Sequence, residues 1–349
     1  MQAHEPCQVI CGGAMCGWKC GRMRLFRFQL RPSSPWRTPW QADTLLGALC
    51  STCARTHGPD FLRRRLIDPM LAGEPPFVLS DAFPGRFLPL PAVLRLAPPP
   101  PGTNHKAFKQ ARWIPADIFH AVRGGRAAAP EHCLADADFF ADEPRRHNTL
   151  SRANDAPSAE GGLFSRPDSM LGQTAPANGA DSLSIYARCQ ADDALDLLLD
   201  LFGELSLTGF GADIATGRGQ FAIIEAPAPV VDFDTLLPGA NAVVCLSTFQ
   251  PAFADPTDGF WEAFHKFGKL GPDLGLPDVR KRTLIMFRPG ACFKTDAPQR
   301  PFLGRALPMD LILPPEIAAT LRGRSIEIVH PAFGLTIPAK LRWPEEAIG

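Results

Sequence analysis

The sequence has no hydrophobic run that approaches the length of a membrane span, since a spanning helix needs about 18 or more consecutive apolar residues. Lys19 and Arg22 lie near the N-terminus, but no apolar core stands beside them as in a signal peptide. Charged residues make up 21% and hydrophobic residues 45% of the chain, which is ordinary for a protein that buries a core. We therefore expect a cytoplasmic protein without a membrane partner.

The sequence also lacks the motifs of several enzyme classes. It contains no Gly-x-Ser-x-Gly, which excludes the nucleophile elbow of serine hydrolases. The ten cysteines do not follow a zinc-site spacing, and no cluster of carboxylates resembles a metal site. Cys50 and Cys53 fall on an apolar helix without a second pair, so we expect them to be buried structural residues. The sequence therefore predicts neither a metal nor another cofactor.

The formal net charge is zero, but the two halves of the chain differ in sign. Residues 1–152 contain 20 Lys and Arg against 12 Asp and Glu, whereas residues 153–349 contain 16 against 24. A basic half can bind a polyanion while an acidic half binds a basic protein surface. Chance variation among solvated residues is the alternative interpretation.

A glycine-rich loop is the most informative feature that is present. It follows a helix predicted from Asp192 to about Ser206 and precedes a strand that begins at Phe221. Glycine accepts positive φ and allows close approach, so such a loop can present N–H groups to a phosphate chain. The order helix–loop–strand does not fit a dinucleotide fingerprint, and the loop lacks the Lys-Ser/Thr of a P-loop. A plain turn is the alternative. The candidate residues are Gly209, Gly211, Gly217, Arg218 and Gly219.

Two further segments have the composition of an RNA-binding surface, in which basic residues are interleaved with aromatic ones. The first contains Lys106, Lys109, Arg112 and Trp113, and the second contains His147, Asn148 and Arg152.

Strand–helix–strand units of similar size occur in both halves, with strands at 24–30 and 183–188 and a helix from Gln41 to about Arg55. This arrangement favours an α+β fold with two ferredoxin-like (RRM-like) β-α-β-β-α-β domains, a Gly-rich loop and irregular insertions. We also expect a helix near 258–266. The predicted division is a disordered extension at 1–22, an N-terminal domain at 23–182 with irregular loops at 124–146 and 153–182, a C-terminal domain at 183–308 and a tail at 309–349.

Five segments in this order resemble the RAMP superfamily of CRISPR effector proteins, and within it the type III-A (Csm complex) subunit that holds the 5′ tag of the guide RNA (crRNA). They are Asp43–Cys50, Pro76–Pro84, the segment with Lys106, Lys109 and Trp113-Ile114, the pair His147–Arg152 and Gly161–Phe164, and the glycine loop 209–221. The resemblance spans about Met23 to Pro308; residues 1–22 have no counterpart, and the chain extends beyond the usual end of the family.

The resemblance implies two ferredoxin-like domains, a glycine-rich loop against the RNA backbone and no catalysis by this subunit. It also implies docking onto the large polymerase-like subunit and onto neighbouring RAMP backbone subunits. Some relatives cut CRISPR transcripts with a histidine, so an endoribonuclease is an alternative, with His147 as the candidate and His57 as the next choice. No partner for His147 is evident in the sequence. The equivalent subunit of a Cmr-type complex and a scaffold protein without RNA are further alternatives.

Overall fold

The computed structural model describes residues 23–96, 105–148, 163–172, 175, 179–271, 274–276 and 279–343. Within these residues the protein is a mixed α/β molecule built on several antiparallel sheets, which agrees with the predicted α+β class. No helix in the described ranges is long and apolar enough to cross a membrane. The extension predicted at 1–22 lies outside these ranges.

The first sheet carries the glycine loop at one edge. Its strand order is β10-β1-β9-β2, with β3 paired to β9 and β11 paired to β1, and every pairing is antiparallel. Helices α1 and α7 cover one face, and Phe28 of β1 contacts Phe202 of α7 with ring centroids 5.3 Å apart. The elements are β1 (Arg24–Pro32), α1 (Ala42–Thr56), β2 (Phe77–Leu79), β3 (Phe83–Pro84), β9 (Leu183–Cys189), α7 (Asp192–Thr208), β10 (Phe221–Ile223) and β11 (Ala228–Pro229).

The second sheet contains the longest strand, β18, between β12 and β17. Every residue of β18 is buried, so this strand forms the centre of the second half of the molecule. The order is β13-β16-β12-β18-β17, built from β12 (Ala242–Cys245), β13 (Gly259–Phe260), β16 (Cys292–Lys294), β17 (Phe302–Pro308), α9 (Met309–Ile312), α10 (Pro315–Gly323) and β18 (Val329–Ala339).

Smaller elements are attached to these two sheets. One is a hairpin of β7 (Phe140–Asn148) and β8 (Leu163–Leu171), and another is a hairpin of β14 (Ala263–Lys266) and β15 (Leu284–Phe287). The others are α2 (Pro59–Leu62), a π-helical segment (Arg63–Ile67), α3 (Asp68–Leu71), the three-stranded sheet β4 (Phe87–Pro89), β5 (Ala111–Pro115) and β6 (Leu134–Ala135), α4 (Ala92–Leu96), α5 (His105–Gln110), α6 (Ala116–Arg123), α8 (Val231–Asp234) and 3-10 turns at Pro130–His132, Asp136–Asp138 and Ile214–Thr216.

Buried polar contacts join the two sheets, which also share one hydrophobic core. The carboxylate of Asp81 accepts hydrogen bonds from the N–H of Ala42 at 2.8 Å, and from the N–H and the hydroxyl of Thr248 at 2.7 Å each. The hydroxyl of Ser247 donates to the carbonyl of Leu79 at 2.7 Å. Because these groups are buried, their mutual hydrogen bonds fix how the sheets meet.

The predicted division into domains does not coincide with the sheets. Strand β9, expected to open the C-terminal domain, lies between β1 and β2 of the first sheet. The expected tail at 309–349 contains two helices and the central strand β18. Sequence position gave no sign of this, because a strand pairs with whichever strand the chain brings beside it.

Three local predictions are also corrected. The ranges 124–146 and 153–182, expected to be irregular, contain most of β7 and the whole of β8. These strands expose nearly every residue, so they lack the alternation of apolar and polar residues that reveals a strand. The helix expected near 258–266 is instead β13 and β14.

Candidate nucleic-acid interface

The glycine loop is held tightly against the segment that follows β1. The N–H of Gly219 donates to the carbonyl of Pro35 at 2.9 Å, and the N–H of Ala212 donates to the hydroxyl of Thr38 at 2.9 Å. Phe210 is buried, and its ring lies 4.5 Å from that of Trp40. The loop is therefore a packed element of the fold, unlike the plain turn considered as an alternative.

All four candidate glycines have positive φ, between 69° and 96°, but they differ in the space around them. A β-carbon at Gly219 would lie 1.9 Å from the carbonyl oxygen of Phe210, and one at Gly211 would lie 2.6 Å from Thr38. A β-carbon at Gly209 would lie 2.7 Å from the side chain of Gln220, whereas at Gly217 it would meet nothing within 4 Å. Three glycines thus serve internal packing, and only Gly217 borders open space.

The β7–β8 hairpin lies beside this loop. At its base Ser169 and Trp36 exchange two backbone hydrogen bonds of 2.9 and 2.7 Å. Farther along, the strands are exposed on both sides, and the ring of His147 stacks on Phe164 at a centroid distance of 5.4 Å. The guanidinium of Arg166 lies 5.1 Å from the same phenyl ring. The hairpin therefore presents a basic and aromatic surface to solvent.

A buried carboxylate, Asp168, connects the hairpin to the glycine loop. Its side chain is 1% exposed. One carboxylate oxygen accepts from Nε of Arg37 at 2.6 Å, and the other accepts from Nε and Nη2 of Arg218 at 3.0 and 2.8 Å. Arg145 approaches the second oxygen at 3.4 Å. We call Asp168, Arg37, Arg218 and Arg145 the Asp168 cluster.

The same cluster reaches two further groups through Arg37. This guanidinium is hydrogen-bonded to the carboxylate of Asp213, and its Nη2 lies 2.6 Å from Nε2 of His147. Burial by itself would raise the pKa of Asp168, but hydrogen bonds from Arg37 and Arg218 outweigh it and lower that pKa. Asp168 is therefore held as a carboxylate, and it fixes the direction of both arginines.

The structure brings two predicted site residues, Arg218 and His147, into contact with one cluster. Arg218 does not extend toward solvent as expected, since its side chain is 12% exposed and bound to Asp168. His147, for which the sequence indicated no partner, contacts Arg37 and Phe164. Asn148 ends β7 as an exposed residue. Arg152 lies outside the described residues.

The other predicted segment divides between surface and interior. Lys106 and Lys109 are exposed on α5. Arg112 is half-buried on β5, and the indole N–H of Trp113 donates to the carboxylate of Asp136 at 2.7 Å while its ring lies 5.7 Å from that of Phe83. Trp113 thus belongs to the packing of the protein instead of standing ready as a free stacking surface.

Sequence reasoning missed Arg37, Asp168 and Asp213. Arg37 stands in the Pro- and Trp-rich segment after β1, and Asp168 stands in a range that was expected to be irregular. A carboxylate between Pro167 and Ser169 has no local pattern that marks it as buried. The one available signal was the excess of arginine around Arg145, which needs an acidic partner wherever it is enclosed.

The second histidine considered for catalysis, His57, contacts Asp200 at 2.8 Å and stacks on Phe61. Within the described ranges, no group of three or more His, Cys, Asp or Glu side chains has the geometry to hold a metal ion.

No protein-family model and no curated protein sequence matches the chain. Solved structures do. The chain resembles one in a structure described as a "Csm1-Csm4 cassette in complex with AMPPNP", with 17% identity, a TM-score of 0.56 and coverage of 92% of this chain and 99% of that one. It also resembles one in a "Csm3-Csm4 subcomplex in the type III-A CRISPR-Cas interference complex", with 13% identity, a TM-score of 0.55 and coverage of 90% and 99%.

The chain has the fold of Csm4. This confirms, at the level of the fold, the predicted resemblance to a RAMP subunit of the Csm complex. The match to Csm4 extends over residues on both sides of Pro308, so the fold of the relative includes the elements that were expected to be a tail.

Proposed function

We propose that this chain is a non-catalytic RNA-binding subunit of a type III-A CRISPR effector complex, acting in antiviral defence in the cytoplasm. It binds the 5′ tag of the crRNA and docks the large polymerase-like subunit and neighbouring RAMP backbone subunits. The fold shared with Csm4 supports membership of such a complex. In this proposal the first sheet with α1 and α7 is a ferredoxin-like β-α-β-β-α-β domain.

The observation that carries the proposal is the exposed hairpin fixed by the Asp168 cluster. Arg145, Arg146 and Arg166 line the two strands, with the His147–Phe164 stack between them. Guanidinium groups bind phosphates, and aromatic rings stack on splayed bases, which is how proteins hold single-stranded RNA. Because Asp168 anchors this hairpin to the glycine loop, both elements can contact one strand of RNA.

The non-catalytic part of the proposal rests on the surroundings of His147. General acid–base cleavage needs a second titrating group and stabilisation of a phosphorane. The described neighbours of His147 are a guanidinium and a phenyl ring, which position the imidazole without exchanging protons with it. We assign His147 a role in holding the hairpin and contacting RNA.

The test measures binding of the full-length chain to RNA that carries the 5′ tag. Replacing both Arg145 and Arg146 by Gln should weaken binding at least tenfold, since each charge-assisted phosphate contact contributes about 1.5 kcal/mol or more. Replacing Arg322 and Arg324 by Gln, two exposed residues on or next to α10, is the matched control and should change affinity little. Scrambling the tag should reduce affinity more than scrambling the guide bases that follow.

The same RNA should remain intact with and without divalent metal. Equal loss of affinity for tag and guide changes would refute recognition of the tag. Site-specific cleavage of repeat RNA that His147→Ala abolishes would support the processing ribonuclease instead.

A further inference from the structure

A cleft of about 350 Å3 lies between the base of the β7–β8 hairpin, the segment after β1 and the second half of the molecule. This volume is within the range of about 300–1,000 Å3 found for small-molecule sites. Its walls differ in chemistry: one is aromatic and the other cationic. The residues that carry the argument are Trp36, Trp40, Phe140, Arg95, Arg112 and Arg288.

The aromatic wall contains a buried donor without an acceptor. Trp36 and Trp40 meet edge to face at 6.3 Å, and Phe140 contacts Trp36 at the same distance. Trp40 is 6% exposed, and its indole N–H donates to no group among the residues that the structure describes. Buried N–H groups nearly always have a partner, so this one needs an acceptor from outside the chain.

The opposite wall carries more positive than negative charge. Arg95 is bound to the carboxylate of Glu262, and Arg288 lies 4.0 Å from the same carboxylate. Arg112 makes one hydrogen bond in the described structure, a long one of 3.3 Å to the carbonyl of Ala111. Burial and the nearby charge of Arg95 lower the pKa of Arg112. Three guanidinium groups therefore share a single carboxylate, an arrangement that suits an anion such as phosphate.

We propose that this cleft binds a single nucleotide. Its base packs on the aromatic wall with a ring nitrogen or carbonyl facing the indole N–H of Trp40, and its phosphate is held by Arg112 with Arg95 and Arg288. The nucleotide is either a free mononucleotide or one residue of an RNA bound to the protein. In the second case the inference rests on the proposed function.

The test observes the indole N–H signals of the full-length, 15N-labelled protein by NMR, with Trp40→Phe identifying the signal of Trp40. AMP, UMP, inorganic phosphate and a short single-stranded RNA are titrated separately. We expect a nucleotide to move the Trp40 signal. Trp40→Phe should weaken nucleotide binding about fivefold and Arg112→Gln about tenfold or more, because the first loses a neutral and the second a charged hydrogen bond. Phosphate alone should compete with the nucleotide.

Trp261→Phe and Arg305→Gln are matched controls outside the cleft, and neither should change binding. Movement of the Trp40 signal by mononucleotides identifies a free ligand, and movement by RNA alone identifies a residue of bound RNA. A Trp40 signal that no probe moves at millimolar concentration, or unchanged binding by Arg112→Gln, would overturn the proposal. Hairpin variants that lose RNA while mononucleotides still move the signal would show that only the proposed function had failed.

Discussion

Two buried aspartates, Asp168 and Asp81, have opposite surroundings and therefore opposite acidities. Asp168 is enclosed by guanidinium groups, whose hydrogen bonds lower its pKa despite burial. Asp81 accepts three hydrogen bonds from neutral donors, and burial raises its pKa to about 6. Both side chains are buried, so the partner decides the direction of the shift.

The contrast extends to the regions around the two residues. The arginines near Asp168 are bound within the protein, and the hairpin they anchor offers its outer surface to a ligand. The arginines beside the cleft that Asp81 lines are only partly balanced by a carboxylate, that of Glu262. A count of basic residues treats both regions alike, although only the second leaves most of its charge for an outside partner.

The largest expected effect is that of Asp168→Ala. Removing the carboxylate leaves Arg37 and Arg218 buried without a counterion, which typically costs about 3–5 kcal/mol of unfolding free energy. Asp310→Ala removes the exposed partner of Arg322 and should cost under about 1 kcal/mol. Urea unfolding measures both, and protease cleavage within the hairpin reports its release. Equal stability of the two variants would show that Asp168 does not anchor the hairpin.

Glycine substitutions test whether the loop beside the Asp168 cluster is packed or free. Gly219→Ala should cost about 3 kcal/mol of unfolding free energy, because the new β-carbon overlaps the carbonyl of Phe210 at positive φ. Gly217→Ala meets open space and should cost about 1 kcal/mol from its backbone conformation alone. The loop sequence by itself suggests that bulk at either position weakens RNA retention without unfolding, and the structure restricts this expectation to Gly217. Indistinguishable denaturation curves would contradict the distinction.

Asp81→Asn separates the two aspartates by pH. Because the pKa of Asp81 is raised in the folded state, its contribution is fully present below about pH 4 and is lost as pH rises toward 6. A shift of one to two units corresponds to about 1.4–3 kcal/mol. The difference in unfolding free energy between wild type and Asp81→Asn should therefore favour the wild type more at pH 4.5 than at pH 7.5. Asp168 has a lowered pKa, so its contribution is present above about pH 4 and is lost on further acidification.

The smallest expected effect concerns the exposed lysines of α5. Changing Lys106 and Lys109 to Gln should alter the unfolding free energy by less than about 0.5 kcal/mol. The slope of log affinity for RNA against log salt should fall by at most about one unit for each phosphate that the variant no longer binds. Salt titrations of this variant and of the Arg322 and Arg324 control distinguish the surfaces. An unchanged slope would remove α5 from the interface.

Local sequence patterns predicted those elements that bury one regular face. The helix that covers Leu197 and Leu201, the strand at 183–189 and the glycine-rich connection between α7 and β10 agree with the structure. The α5 helix and the exposed hairpin had no such pattern. Most of the hairpin residues face solvent, and a strand without alternation resembles a loop in sequence.

The sequence by itself determined the α+β class, the glycine-rich loop and the presence of basic segments, because these depend on neighbours within a few residues. Tertiary structure alone decided that Asp168 meets Arg37 across 131 residues, that β18 is a central strand, and that Arg218 faces inward. The physical reason is that burial and charge pairing depend on distance in space. A carboxylate and a guanidinium far apart in the chain carry no mark of each other until the fold encloses both.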